Sequence, residues 1–422
     1  MTMRPRPPAT PVPVSPALVR GMTRRRMLGG TGALGLGGLL ASCSTGGSTV
    51  AQTAAARPSP AIDRSDTDRV VNWANWTQYL DYDEQTKTYP TLTQFEKETG
   101  IQATYSEDID DNETYYAKIQ GQLANGQDIG KDLIVLTDYM AGRVIRQGYA
   151  QELDLANIPN VKYLLDNLKN VDFDPGRKYS LAWQSGYTGL AYRRKEVEAK
   201  GISVNTISDL WNPKLKGRVE VQSDFRDTLG LILLEQGVDV AKPFPTAKFD
   251  DAIAVVGKQL ANGQIRQVKG GEYLEDFKAG DALAVVGWSG DIFAANAEAR
   301  DADPNLQEDP YVFVFPPSGV LLWSDNLLVP IGATHKKNAE ILINYYYDPK
   351  VAAKVADYVE YICPVKGAAA ALRAEIPDDA DLADSRFIFP TAEDLAKTHV
   401  FRTLTVEEDT LVSTKYQAVL GA

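Results

Sequence analysis

The residues best suited to chemistry are aromatic rings, hydroxyls and carboxylates that recur in close company: Trp76 with Tyr79, Thr137 with Tyr139, Asp224 with Asp227, Trp288 with Asp291, and Trp323 with Asp325. No base or nucleophile accompanies them. An aromatic face attracts an ammonium group by about 0.5–2 kcal/mol and lies flat against methylenes. A carboxylate accepts charge-assisted hydrogen bonds from ammonium hydrogens. Together these types suit a cationic, partly aliphatic ligand that is held rather than transformed. Singly, each has a plainer account. Asp224 and Asp227 sit where a helix takes an N-cap and a first-turn acid, and a lone tryptophan is most often core. Their shared placement around strand ends is what favours binding.

Other chemistries lack their residues. Two histidines (His335 and His399) and two cysteines (Cys43 and Cys363) leave little for a metal centre or a nucleophilic triad. The run Asp108-Ile109-Asp110-Asp111-Asn112-Glu113 starts like a calcium loop. It has Glu113 where glycine is required and Ile119 at the twelfth position, so it reads as a solvated turn into a helix. Tyr345, Tyr346 and Tyr347 are consecutive and cannot share one helix face as iron-binding phenolates. No metal, no cofactor and no catalytic residue is therefore expected. A secreted hydrolase built on a carboxylate pair is the alternative of a different class, yet nothing selects an acid and a nucleophile among 56 acidic residues.

The elements that must position these side chains can be read from Arg69 onward. Strands are expected at 70–74, 101–105, 132–136, 218–222 and 282–286, and helices at 91–99, 112–125 and 224–236. Gly100 marks the end of the first helix. Such alternation signals parallel sheets covered by helices. At 422 residues the chain holds two domains' worth of sequence. Two α/β lobes with a cleft between them follow, with ligands expected beyond the carboxyl ends of the strands.

Charge divides the chain further. The formal net charge is −12, which argues against nucleic acid as a partner. Residues 1–42 nevertheless carry six arginines and no acid. Thr23-Arg24-Arg25-Arg26-Met27-Leu28 looks like a twin-arginine export motif, followed by a glycine-rich apolar stretch too short to span a membrane. Leu40-Ala41-Ser42-Cys43 looks like a lipobox, which would make Cys43 the lipidated first residue of the mature chain. Residues 43–68 have the composition of a flexible tether. Cys363 then lacks a partner and reads as a small buried hydrophobe. The expected location is the outer face of the cytoplasmic membrane, through lipidated Cys43.

Several runs then resemble one family. Asn75-Trp76-Thr77-Gln78-Tyr79, Phe95-Glu96-Lys97-Glu98-Thr99-Gly100-Ile101 and Asn112-Glu113-Thr114-Tyr115-Tyr116-Ala117-Lys118 are similar to the spermidine/putrescine-binding proteins of polyamine ABC transporters. Asp209-Leu210-Trp211, Trp323-Ser324-Asp325 and Ile343-Asn344-Tyr345-Tyr346-Tyr347 continue the match in order, across the chain from about Val70. The resemblance implies a type II periplasmic-binding-protein fold that closes around a polyamine and delivers it to a permease, and through it to ATPase subunits. It implies a monomer with a first lobe of 69–187 and 324–370, a second of 188–323 and 371–422, and a crossing near Gln184-Ser185-Gly186-Tyr187. By motif, Trp76, Tyr79, Tyr139 and Tyr361 would be aromatic walls, with Thr137 a hydroxyl contact. Asp224 and Asp227 would be carboxylates of the second lobe, Trp288 and Trp323 would stack on the alkyl chain, and Asp325 would hold an ammonium. The family's late glutamine falls near Phe401 or Arg402, where an arginine would oppose a cation. The alternative within the fold is another small cationic solute.

Overall fold

The computed structural model describes residues 57–421. The export motif, Cys43 and the first part of the tether lie outside the described residues.

Strands form where apolar residues run or alternate. The first are β1 (Val70–Trp76), β2 (Gln102–Ile109) and β3 (Leu133–Thr137). A two-residue hairpin, β4 (Asn170–Val171) and β5 (Asp174–Pro175), precedes the long β6 (Ser180–Arg193). Then come β7 (Val219–Gln222), β8 (Ile265–Lys269), β9 (Ala284–Trp288) and β10 (Tyr311–Val314). The last are β11 (Val320–Leu328) and the short β12 (Thr398–His399).

Helices fill the intervals. α1 (Pro90–Thr99), α2 (Asn112–Ala124) and α3 (Asp138–Arg146) accompany the first strands. Gly100 ends α1 with a left-handed backbone, φ 70°, and Asp111 caps α2 by accepting the Thr114 N–H. α4 (Arg194–Ala199) follows β6, and α5 (Phe225–Glu235), α6 (Ala247–Ala261), α7 (Tyr273–Ala279) and α8 (Ser289–Ala302) alternate with β7, β8 and β9. α9 (Lys336–Tyr346), α10 (Pro349–Val359), α11 (Ala368–Glu375), α12 (Ala392–Leu395) and α13 (Val406–Leu420) complete the chain.

The two expected sheets are joined. Their hydrogen-bonded order is β2-β1-β3-β11-β6-β9-β7-β8, with β10 beside β6 and β12 beside β11. β1 pairs in parallel with β2 and β3, and β7 in parallel with β8 and β9. β11 and β6 connect the two parallel groups through antiparallel ladders. The hydrophobic core is nevertheless divided. β6 gives Leu181, Ala182 and Trp183 to one cluster and Leu190 to another, and β11 gives Leu327 to the first and Leu321 to the second. Tyr187, Val320, Leu322 and Ile362 form a small separate cluster. Two lobes thus share two through-running strands, in an α/β fold.

Two expected boundaries move. Residues 371–388 were expected in the second lobe, but Leu372, Ala383 and Ile388 pack in the first-lobe core. The reason is that α11 continues across the apolar face that α10 presents, so the chain changes lobe only later, with Leu404 in the second core. Residues 57–68 are likewise held rather than free. Ala61 and Arg64 donate backbone bonds to Ile331 and Thr334, and Ser65 is buried with its Oγ on the Asn338 N–H. Asp68 meets His335 Nε2 at 3.2 Å. Polar side chains fix this stretch to the start of α9, a signal that composition does not carry. No described helix is long and apolar enough to cross a membrane.

Candidate functional site

Strand ends and helix starts bring the candidate residues together. Trp76 is the last residue of β1, and Thr137 the last of β3. Between Trp76 and Tyr79 the chain turns at Gln78, whose φ of 58° is left-handed and rare outside glycine. Tyr79 is thereby carried into the interior, 7% exposed. Trp323 and Asp325 lie inside β11, and their spacing of two places them on one face. Asp325 pairs in register with Thr137.

Asp325 is 4% exposed. One of its oxygens accepts the Thr137 hydroxyl at 2.6 Å and the other the Tyr79 hydroxyl at 2.8 Å. Burial raises its pKa to about 6, although both hydroxyls work in the opposite direction. Asn112 holds Thr137 in turn, with Nδ2 donating to Oγ1 at 2.8 Å.

A second acid, Asp227, lies in the first turn of α5. It accepts the Thr188 hydroxyl at 2.6 Å and the Trp288 indole N–H at 3.0 Å. Thr188 on β6 and Trp288 on β9 are register partners, so the sheet presents both donors to one carboxylate. Burial and then the charge of Asp224 push Asp227 well above the ordinary carboxylate range.

A third acid, Asp291, lies in the first turn of α8. It accepts the Tyr361 hydroxyl at 2.9 Å and the Tyr273 hydroxyl at 3.0 Å, and burial raises it to about 6. Thr188 and Tyr273 were not among the expected contacts. Thr188 hides within an apolar strand, and the glycine pair ahead of Tyr273 was the one available signal for a turn there.

Rings connect the three acids. Tyr79 and Tyr361 meet edge-on with centroids 5.6 Å apart, and Tyr361 lies 5.9 Å from Trp323. Trp323 lies 6.3 Å from Trp288, which lies 6.0 Å from Tyr273. Two glycines make room: a Cβ on Gly186 would overlap the Trp323 ring, and one on Gly290 the Tyr361 ring. Trp76 packs against first-lobe core residues.

Asp224 and Tyr139 have other partners. Asp224 is the N-cap of α5, accepting the Arg226 N–H at 2.9 Å. The Arg226 guanidinium lies 4.0 Å over the Tyr139 ring and is ion-paired with Asp409 on α13. Asp409 also pairs with Arg143 on α3 at 2.8 Å. A charge cluster between α3, α5 and α13 therefore occupies this end of the candidate set. Arg402 is itself paired: both its terminal nitrogens bind Glu408, at 2.9 and 2.6 Å. Phe401 stacks on Phe249 in the second core.

Among the described residues, no lysine or arginine forms an ion pair with Asp227, Asp291 or Asp325. No cluster of three or more His, Cys, Asp or Glu there is arranged for a metal ion. The arrangement presents three partly or fully buried carboxylates, each satisfied by neutral donors, along a run of rings.

Comparison with known proteins shows the family. The family described as bacterial extracellular solute-binding protein matches residues 90–384. The spermidine/putrescine-binding periplasmic protein 1 of Haemophilus influenzae is 30% identical over 324 residues, 77% of this chain and 81% of the relative. The spermidine/putrescine-binding periplasmic protein of Escherichia coli is 28% identical over 329 residues, 78% of this chain and 85% of the relative. Among solved structures, the PotD substrate-binding protein of a spermidine/putrescine ABC transporter from Streptococcus pneumoniae superposes with a TM-score of 0.66 at 23% identity, covering 83% of this chain and 98% of that one.

Proposed function

The chain belongs to the bacterial extracellular solute-binding proteins, and from that premise we propose that it captures a polyamine of the putrescine or spermidine class for an ABC importer. The observation that carries this reading is the set of three acids, Asp227, Asp291 and Asp325, held by neutral donors and joined by aromatic rings. A buried carboxylate without a cation is costly. An ammonium group entering beside each would supply the missing charge, while methylenes between the ammonium groups would lie against Trp288, Trp323 and Tyr361. The aromatic run sets the spacing between charges, which favours a linear diamine or triamine over a compact cation.

Tyr361 packs on the first lobe and Asp325 stands on the shared strand β11, whereas Asp291, Asp227 and Trp288 follow from the second-lobe stretch of the chain. A ligand touching both sets favours the arrangement in which the lobes meet. That arrangement is what a permease, with its ATPase subunits, would recognise. In this reading the protein is a monomer that binds without turnover, exported by its twin-arginine segment and anchored through lipidated Cys43. The anchor rests on the sequence motif alone.

The test is calorimetric titration of the purified protein with putrescine, spermidine and spermine. Saturable binding of one amine per chain, with the amine recovered unchanged, supports the reading. No heat and no thermal stabilisation from any of the three overturns it.

A further inference from the structure

Behind the strand that carries Asp325 lies a carboxylate that no ligand contact uses. Asp138 is the first residue of α3, directly after Thr137. One of its oxygens accepts the Ser324 backbone N–H at 2.9 Å, and the other the Asn326 side-chain amide at 2.8 Å. Ser324 and Asn326 are the two neighbours of Asp325. Asn326 Oδ1 then accepts Arg177 Nη1 at 2.7 Å. Arg177 is only 2% exposed, and it also donates to the Leu168 carbonyl at 2.6 Å and to Ser180 Oγ at 3.2 Å.

The ladder gives a reason for this support. Opposite β11, Asp325 pairs with Gln184 and Asn326 with Ala182, so Trp183 is skipped and the β6–β11 register shifts at the residue that matters. A bulge interrupts regular pairing and re-aims side chains. Here the Asp138 carboxylate holds both neighbours of Asp325, Ser324 before the shift and Asn326 just after it. The charge count is equally specific. Asp138 and Asp325 contribute two negative charges, and Arg177, reaching them through Asn326, contributes one positive charge. An isolated first-turn acid would need neither the two flanking bonds nor the buried guanidinium.

We propose that Asp138 is a positioning residue for the ammonium seat at Asp325: it holds one neighbour of Asp325 by its backbone N–H and the other by its side-chain amide, and supplies a second negative charge that a ligand cation balances. The inference rests on the cationic-ligand reading above. The groups facing Asp138 are Asp325 and Asn326 on β11, Arg177 after β5, and Asp172 in the β4–β5 turn. The repulsion between Asp138 and Asp325 already acts to raise the latter's pKa.

Asp138→Asn tests this. Its side-chain oxygen can still accept from Ser324, but the charge is gone. Two readouts are taken: NMR titration of the Asp325 carboxyl carbon in the ligand-free protein, and calorimetric titration with putrescine and spermidine at neutral pH. The expected results are a lower titration midpoint for Asp325 and an amine affinity weaker by about tenfold, the effect of removing one nearby charge. Asp138→Glu, which restores the charge, is expected to recover most of that affinity. A purely structural role would leave the Asp325 midpoint in place, and an unmoved midpoint or amine affinity within about twofold of the parent overturns the proposal. Asp138→Ser serves the same comparison if the asparagine variant does not fold. If the parent protein binds neither amine, the polyamine reading fails, and the NMR midpoint alone then decides the role of Asp138.

Discussion

Tyr79 and Tyr361 touch edge to face, yet their hydroxyls serve different acids: Tyr79 donates to Asp325 and Tyr361 to Asp291. The pair thus links a carboxylate on β11 to one at the start of α8. Both hydroxyl hydrogens are spent on carboxylates, so toward a further group these oxygens can only accept.

Removing Asp325, or the Trp323 ring that Tyr361 touches, should show in affinity. Asp325→Asn keeps the shape and removes the charge, and is expected to weaken polyamine binding at least about tenfold, as is Trp323→Ala. Circular dichroism and thermal melting should show the fold retained. Calorimetry that finds unchanged affinity in either variant removes that residue from the site.

The acids also set a pH dependence of definite sign. Burial raises Asp325 and Asp291 to about 6, above the unfolded value near 4. A carboxyl whose folded pKa is raised contributes stability that is fully present below its unfolded pKa and is lost as pH rises through the folded one. The ligand-free protein should therefore lose this contribution between about pH 4 and pH 7. Binding runs the other way, because an ammonium needs the ionised acids. Polyamine affinity is expected to fall roughly tenfold or more between pH 7.5 and pH 5.5, and titrations across that range with a flat affinity would contradict the assignment.

Gly290 has no side chain of its own to offer a ligand, but Tyr361 lies where its Cβ would be. Gly290→Ala should push the Tyr361 ring away from Asp291 and weaken binding several-fold. The crystal structure of the variant would show whether the Tyr361–Asp291 bond is lost, and an intact bond with unchanged affinity would be the contrary result.

Asp409 accepts both Arg143 from α3 and Arg226 from α5, and its side chain is 14% exposed. Asp409→Asn leaves two guanidinium groups facing each other with less compensation. The expected outcome is faster polyamine release, read by stopped-flow fluorescence of the site tryptophans, with association changed less. Equal release rates would show that this cluster does not bear on the bound state.

Much of this was legible in the sequence because the signals are local. The strands at 70–74 and 132–136 and the helices at 91–99 and 112–125 carry their periodicity within a few residues, and β1, β3, α1 and α2 follow them closely. The carboxylates and rings could be singled out by type. Their partners could not, because those depend on pairings between distant segments. Asp227 meets Thr188 and Trp288 only through the β6–β9 register, and Asp224 turns to its own helix because Arg226 sits beside it. The single sheet was hidden for the same reason: nothing in the apolar run of β6 says that one end belongs to one core and the other end to another.

That through-running ribbon limits how the molecule can deform. β6 and β11 are laced together from Leu321–Thr188 to Leu328–Ser180, so the pair resists sliding and behaves as a flat spring that bends and twists. The one irregular stitch in the lacing, between Asp325 and Asn326, is the one that Asp138 braces through Ser324 and Asn326. A ligand charge seated at Asp325 would therefore load a rung of the shared ribbon that is irregular in register and tied from behind.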